Sequence, residues 1–378
     1  MMSHSAIGST GTHVVARVDP SAIAHNLEQV RRRLARNGST PVGPRMWASL
    51  KADAYGHGIR HVVPALAGAD GLMISRLAEV PVCRDAGWQG PVLVLDGLQD
   101  DVEAAQLDQS GLHLVIHRAE QLDWLEARPL HCPPPWVWLR YVGDLGYQGL
   151  DYDAYQAAYA RCAPWLARGD IAGIGHLQHY AAADTPTGIA AAEARFRSLT
   201  DALPGPRSTC NSAAIVCHPA HARSTDWVRP GRLLYGLSPL PDRDGASLGL
   251  RPAMSLHARV VAVRELAAGA RIGYHGAFGA ASAMRIGLVD CGYSDGYPSH
   301  PPIGMPILVG GRLARGLGQV TMNSLLVDLS DHPGAETGMP VVLWGAPELP
   351  AEQVAAACGG SAPELLTGLT GRVPVIAS

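Results

Sequence analysis

The stretch MWASLKADAYGHG, residues 46–58, decides how this chain folds. Its first part, MWASL at 46–50, is a short apolar run that reads as a strand. The run stops at Lys51, and Gly56 and Gly58 then permit a tight turn. Outward from it the same rhythm of short strand and helix continues to about Tyr235. Further strands are predicted at 71–75 (GLMIS), 92–96 (VLVLD), 112–116 (LHLVI), 136–140 (WVWLR), 171–177 (IAGIGHL) and 208–210 (STC), with a weaker eighth at 232–235 (RLLY). Apolar residues three or four apart predict helices at 118–127, 151–167 and 187–203, and another at 21–35 ahead of the first strand. Consecutive strands joined by helices pair in parallel through right-handed crossovers. Eight such units make a closed (β/α)8 TIM barrel, an α/β fold.

After residue 250 the texture changes to strand-like runs separated by glycine turns: MSLHARVVAVREL, MRIGLVDCGY, MPILVGGRLARG, NSLLVDLS and MPVVLWG, with short helices only near 351–357 and 363–369. The expected organisation is a disordered tail over 1–13, a barrel over 14–248 and a mostly β C-terminal domain over 249–378. A net charge of −3 with 17% charged residues argues against a nucleic-acid or polybasic membrane role. No apolar run reaches the roughly 18 residues that a membrane span needs. The first residues carry neither a basic start nor an apolar core, so they do not read as a secretory signal. The seven cysteines are odd in number and lack C-x-x-C spacing, which predicts reduced thiols, no metal site and a cytoplasmic protein.

In a barrel of this kind chemistry is done where the strands end. A lysine directly after MWASL is therefore at the mouth, and desolvation there lowers its pKa and suits it to Schiff-base formation. An ordinary exposed lysine is the commonplace alternative. Against that, Tyr55, Gly56 and Gly58 add a hydroxyl and a close-approach turn at the same mouth. The segment resembles the pyridoxal-phosphate lysine motif of the alanine racemase family (fold-type III pyridoxal-phosphate enzymes), with Asp53 where that motif usually has Asn. Similar motifs follow in order: GHLQHYAAAD (175–184), CNSAA (210–214), WVRPGRLLYGLSP (227–239), RPAMSLHARV (251–260), CGYSDGYPS (291–299), VTMNS around Met322, and RVPV (372–375).

The resemblance implies a cofactor, pyridoxal 5'-phosphate, carried on Lys51. By the same resemblance Tyr55 belongs to its pocket and His179 packs on the pyridine ring. Ser212, Gly231 and Arg232 hold the phosphate, which agrees with the usual phosphate site after the last two barrel strands. Arg229 donates to the ring nitrogen; a guanidinium cannot accept, so that nitrogen stays unprotonated and the ring is a weak electron sink. Racemisation needs proton-transfer groups on two faces of a planar α-carbon. Lys51 serves one, and Tyr293, from the partner's β domain in a homodimer with shared sites, serves the other. Met322 meets the substrate carboxylate through its backbone.

Four further departures from the family fall in the site. Tyr147 stands where an arginine contacts the substrate carboxylate, and Arg140 where a lysine, frequently carbamylated, supports that arginine. Asn323 replaces an aspartate, and Pro363 replaces a phosphate-binding tyrosine. Losing a charge-assisted carboxylate bond weakens binding of simple alanine. Either Arg140 or Arg232 restores the charge, or the substrate is an altered amino acid or derivative. The leading expectation is an amino-acid racemase or epimerase of altered substrate. The alternative is the same fold with another outcome, decarboxylation or elimination, although Arg229 weakens the electron sink those reactions exploit. A non-catalytic carrier of the cofactor is disfavoured by the second domain and Tyr293.

Overall fold

A computed structural model of the chain describes residues 14–35, 43–105, 107, 110–128 and 133–378, so the tail expected over 1–13 lies outside the described residues. The chain divides into two compact units, Pro20–Arg251 and a second made of the segment up to Asp19 together with Pro252–Ser378.

The chain enters through strand β1 (Val15–Val18) and the helix Pro20–Leu34. Eight strands then follow: β2 (Arg45–Ser49), β3 (Gly71–Ile74), β4 (Val92–Val94), β5 (Leu112–Ile116), β6 (Trp136–Arg140), β7 (Gly173–Leu177), β8 (Arg207–Asn211) and β9 (Trp227–Arg229). They pair in parallel in sequence order, and β2 pairs with β9 to close the barrel. One element differs from the sequence reading. The eighth strand is Trp227–Arg229, and RLLY is a 3-10 turn, Arg232–Tyr235, bounded by Gly231 and by Gly236 in the left-handed region. A four-residue apolar run carries no period that separates a strand from a buried helical turn. Elsewhere the helix boundaries have local causes. The helix Tyr152–Arg168 starts where the Asp151 side chain accepts the Ala154 N–H and stops at left-handed Gly169.

The barrel floor is filled by rings. Trp47 stacks on Trp227 at 4.0 Å, and Trp138 Nε1 donates to His113 Nδ1 at 2.9 Å. Gly71 makes room for them, because a Cβ there would lie 2.1 Å from the Trp47 ring. With the floor packed solid, the barrel is a plug with its working surface at the strand ends.

The other unit is β-rich, as expected. Its strands are β10 (Met254–Leu266), β11 (Arg271–Ile272), β12 (Phe278–Gly279), β13 (Met284–Val289), β14 (Pro306–Val309), β15 (Arg312–Gly316), β16 (Leu325–Asp328), β17 (Pro340–Trp344) and β18 (Val375–Ala377). The main sheet runs β13-β16-β15-β14-β17-β10-β1-β18, and β13 also pairs with the long β10. Residues 14–18, which the sequence reading groups with the barrel segment, pair here. β1 runs antiparallel to β10 and parallel to β18, burying Ala16 and Val18 on its period-two face. No helix among the described residues is long and apolar enough to cross a membrane.

Candidate active site

Strand alternation sets the inventory of the barrel mouth. Trp138, Leu177 and Trp227 lie in the inner core cluster. Side chains two residues further on share their face, so Arg140, His179 and Arg229 form the layer above. Lys51 follows β2 into an unusual turn. Ala52, Asp53, Ala54 and Tyr55 all have φ between 52° and 57°, a complete left-handed turn without a glycine. Each such residue costs about 1–2 kcal/mol. Ala54 N–H donates to the Leu50 carbonyl and Gly58 N–H to the Asp53 carbonyl, both at 2.9 Å, while the Asp53 carboxylate accepts the Ile59 N–H at 2.8 Å. That network holds the strain, and strain of this kind gathers at functional sites.

The Lys51 side chain makes no hydrogen bond or ion pair among the described residues. Burial lowers its pKa, followed by the charges of Arg229 and Arg140; Asp96 opposes and Arg232 adds a little. Arg229 is buried, and carbonyls hold it. Nη1 donates to the Ser208 carbonyl at 2.6 Å and to Ser208 Oγ at 2.8 Å, and Nη2 to the carbonyls of Gln178 and Thr209. Burial and Arg140 bring its pKa down to about 10, so it stays a cation at neutral pH. Nε–H is the donor those bonds leave over.

His179 is the opposite case. Burial first, then Arg229, Arg140 and Lys51, bring it down to about 3, which keeps it neutral. Its tautomer follows from Asn211. The Asn211 Oδ1 accepts the Ala214 N–H, and its Nδ2 donates to the Tyr180 carbonyl at 2.9 Å and to His179 Nε2 at 3.1 Å. Nε2 is therefore an acceptor and Nδ1 carries the proton. Asn211 escaped the sequence reading, although Asn before a helical start is the N-cap signature.

The remaining cofactor candidates meet in one corner. Gly231 N–H donates to Ser212 Oγ at 3.0 Å, and a Cβ on Gly231 would lie 2.4 Å from Tyr55 Oη. Tyr55 packs 4.6 Å from the Tyr235 ring, and Tyr235 Oη donates to the Ser49 carbonyl at 2.8 Å. Burial raises the Tyr55 pKa while the charge of the half-buried Arg232 opposes. Tyr235, like Asn211, gave no signal beyond an aromatic in an apolar run. Tyr147 is 81% exposed in the loop after β6, and Arg140 is buried.

In the β-rich unit, residues far apart in sequence come together. Tyr293 N–H donates to the Thr321 carbonyl, and Ser294 N–H to the Met322 carbonyl, both at 3.0 Å. Ser294 Oγ adds bonds to the Met322 carbonyl at 2.6 Å and to Asn323 Oδ1 at 3.1 Å. Tyr293, Met322 and Asn323 are all exposed. Pro363 sits in the first turn of the helix Ala362–Thr367.

Two family models match consecutive parts of the chain: the N-terminal domain of alanine racemase over residues 18–239 and the C-terminal domain over 253–377. An alanine racemase of Bordetella petrii is 42% identical over 367 residues, covering 95% of this chain and 97% of that protein. The biosynthetic alanine racemase of Pseudomonas aeruginosa superposes with a TM-score of 0.87 at 40% identity, covering 97% of this chain and all of that one. The fold is also that of the alanine racemase of Bartonella henselae with covalently bound pyridoxal phosphate, with a TM-score of 0.80, 23% identity and coverage of 97% and 100%.

Proposed function

The chain belongs to the alanine racemase family and is a pyridoxal-phosphate-dependent amino-acid racemase, and from that premise we propose that Lys51 and Tyr293 are its two proton-transfer groups and that alanine is its substrate. The observation carrying this is Lys51 itself: a half-buried amine with no ion-pair partner among the described residues, its pKa pulled down by burial and by Arg229, Arg140 and Arg232. A lowered pKa leaves more of the amine in its free form, the form that acts as nucleophile and proton acceptor.

The residues present fit the cofactor. Lys51 offers the amine, and Ser212 Oγ and the Gly231 N–H meet at 3.0 Å in a corner that a single Cβ would fill. Tyr55, Ser212, Gly231 and Arg232 would hold the phosphate, the neutral His179 would lie on the ring, and Arg229 would donate to the ring nitrogen. Bound there, pyridoxal phosphate draws electron density from the α-carbon and so acidifies its proton. Lys51 then takes or returns that proton on one face, and the phenol of Tyr293 does so on the other. Arg229, a cation that offers no acceptor, would leave the ring nitrogen unprotonated, which would favour proton exchange over decarboxylation or elimination.

Two finer readings belong with this one. The β-rich segment supplies Tyr293 to the site of a second copy in a homodimer, supported by the exposure of Tyr293 and Met322. The scattered cysteines support a reducing, cytoplasmic location. Alanine is taken over an altered substrate on the names of the relatives.

The test is α-deuterium incorporation in deuterated water with each enantiomer of alanine. Wild-type protein should exchange and invert both. Lys51→Ala and Tyr293→Phe should each abolish inversion, and Tyr293→Phe should keep exchange on one enantiomer only. Continued inversion by either variant would remove that residue from the mechanism.

A further inference from the structure

Arg140 is a buried cation with no ion-pair partner among the described residues. It closes β6, shares the inward face of Trp138 and is only 5% exposed. Its Nε has no hydrogen-bond partner, and among the described residues no carboxylate lies within ion-pair distance of the guanidinium. The two groups of opposite tendency that act on it are committed elsewhere: Asp96 pairs with Arg76 at 3.4 Å, and Tyr147 is 81% exposed. Its other neighbours worsen the imbalance. Lys51, His179 and His117 all feel Arg140 as a positive charge. A desolvated, unpaired guanidinium in such company is costly unless an anion arrives to share its donors.

The position in the ring says which anion. Ser212 follows β8 and Gly231 follows β9, the strand that adjoins β2 and Lys51 in the closed barrel order. Arg140 comes from β6, four strands from β2 and on the opposite arc. Arg140 and Lys51 therefore face each other across the mouth, while Ser212 and Gly231 meet on the arc of β8 and β9, so a ligand reacting at Lys51 has its far side toward Arg140.

We infer that Arg140 is the carboxylate-binding residue of the substrate site, its guanidinium taking the α-carboxylate of the amino acid whose reaction occurs at Lys51. This rests on the racemase reading. The planar fork of a guanidinium suits a carboxylate bidentately, and the phenol of Tyr147 offers no charge. It also makes an ordinary amino acid, free carboxylate included, the right cargo for this mouth. The chain keeps one arginine for the carboxylate and supplies it from the strand end.

Propionate and propionamide test it without turnover. The thermal midpoint of the wild-type holoenzyme should rise with propionate and not with propionamide; equal responses would overturn the inference even if every variant failed to fold. In Arg140→Gln, the KM for alanine and the Ki for propionate should rise together by roughly 10- to 100-fold, the worth of one charge-assisted pair. The cofactor absorption band and cofactor affinity should be retained, and Arg140→Lys should recover part of both constants. Unchanged KM and Ki in Arg140→Gln would overturn the assignment, as would loss of cofactor with no change in propionate binding. A wild-type protein that binds propionate selectively yet never exchanges the α-proton of alanine would instead sink the racemase reading.

Discussion

Gly231 shows how tightly single residues define this site. A methyl group there would sit 2.4 Å from Tyr55 Oη, and the Gly231 N–H is already committed to Ser212 Oγ at 3.0 Å. Gly231→Ala must therefore push either the phenol or the backbone out of the corner. Cofactor affinity should fall about tenfold or more, equivalent to roughly 1.4 kcal/mol. Adding Tyr55→Phe removes the clashing oxygen and should return part of the loss, read as cofactor Kd from absorption titrations. A Gly231→Ala variant with wild-type affinity would show that the corner does not touch the cofactor. At this scale the sequence was informative where a motif marked the residue: Lys51, His179, Ser212 and Arg229 could each be named from their neighbours. The local N-cap bond of Asn211 to Ala214 follows a sequence signature, but its effect on His179 passes through bonds to His179 and Tyr180, 32 and 31 residues away, which no local pattern marks. The unpaired state of Arg140 was equally hidden, since a missing partner leaves no trace in a linear string.

The element that most repays study is the left-handed turn after β2. Ala52 is exposed and has φ 53°, so nothing but backbone sterics opposes a change there. Ala52→Gly should relieve about 1–2 kcal/mol of strain while costing about 0.5–1 kcal/mol in unfolded-state entropy. The net gain, between about 0 and 1.5 kcal/mol, should leave Tm unchanged or raise it by up to a few degrees in calorimetry. Turnover should drop, because the same turn fixes where Lys51 points. A variant that is both less stable and fully active would contradict the account. No pattern in KADAY announced this geometry; alanine and tyrosine are ordinary helix formers, and the surrounding hydrogen bonds override their preference. Regular elements were far more legible. LHLVI and WVWLR match β5 and β6 residue for residue, because β-branched and aromatic runs between breakers have few other homes. β1 was harder, since a four-residue strand shows its sheet only through partners more than 200 residues away.

For the molecule as a whole, the β-rich unit poses the problem that an assembly would solve. Its Tyr293 and Met322 are 44% and 54% exposed, yet the backbone carrying them is held fast. The buried Asp295 carboxylate accepts the Gly292 N–H at 2.9 Å and pairs with Arg372 at 3.3 Å, and a Cβ on Gly292 would lie 2.3 Å from the Met322 carbonyl oxygen. A surface this rigid, presenting a phenol to solvent, is suited to being covered by a second copy. Two-fold symmetry then makes the exchange reciprocal, each copy lending its tyrosine to the other's lysine. The expected consequence is numerical. Lys51→Ala and Tyr293→Phe proteins should each fail to racemise alone; unfolded together, refolded and reloaded with cofactor, half of the random dimers should be mixed. Each mixed dimer has one site with both defects and one with none, so activity should recover to about a quarter of wild type. If Lys51 and Tyr293 acted within one chain, every site in the mixture would keep one defect and no activity would return.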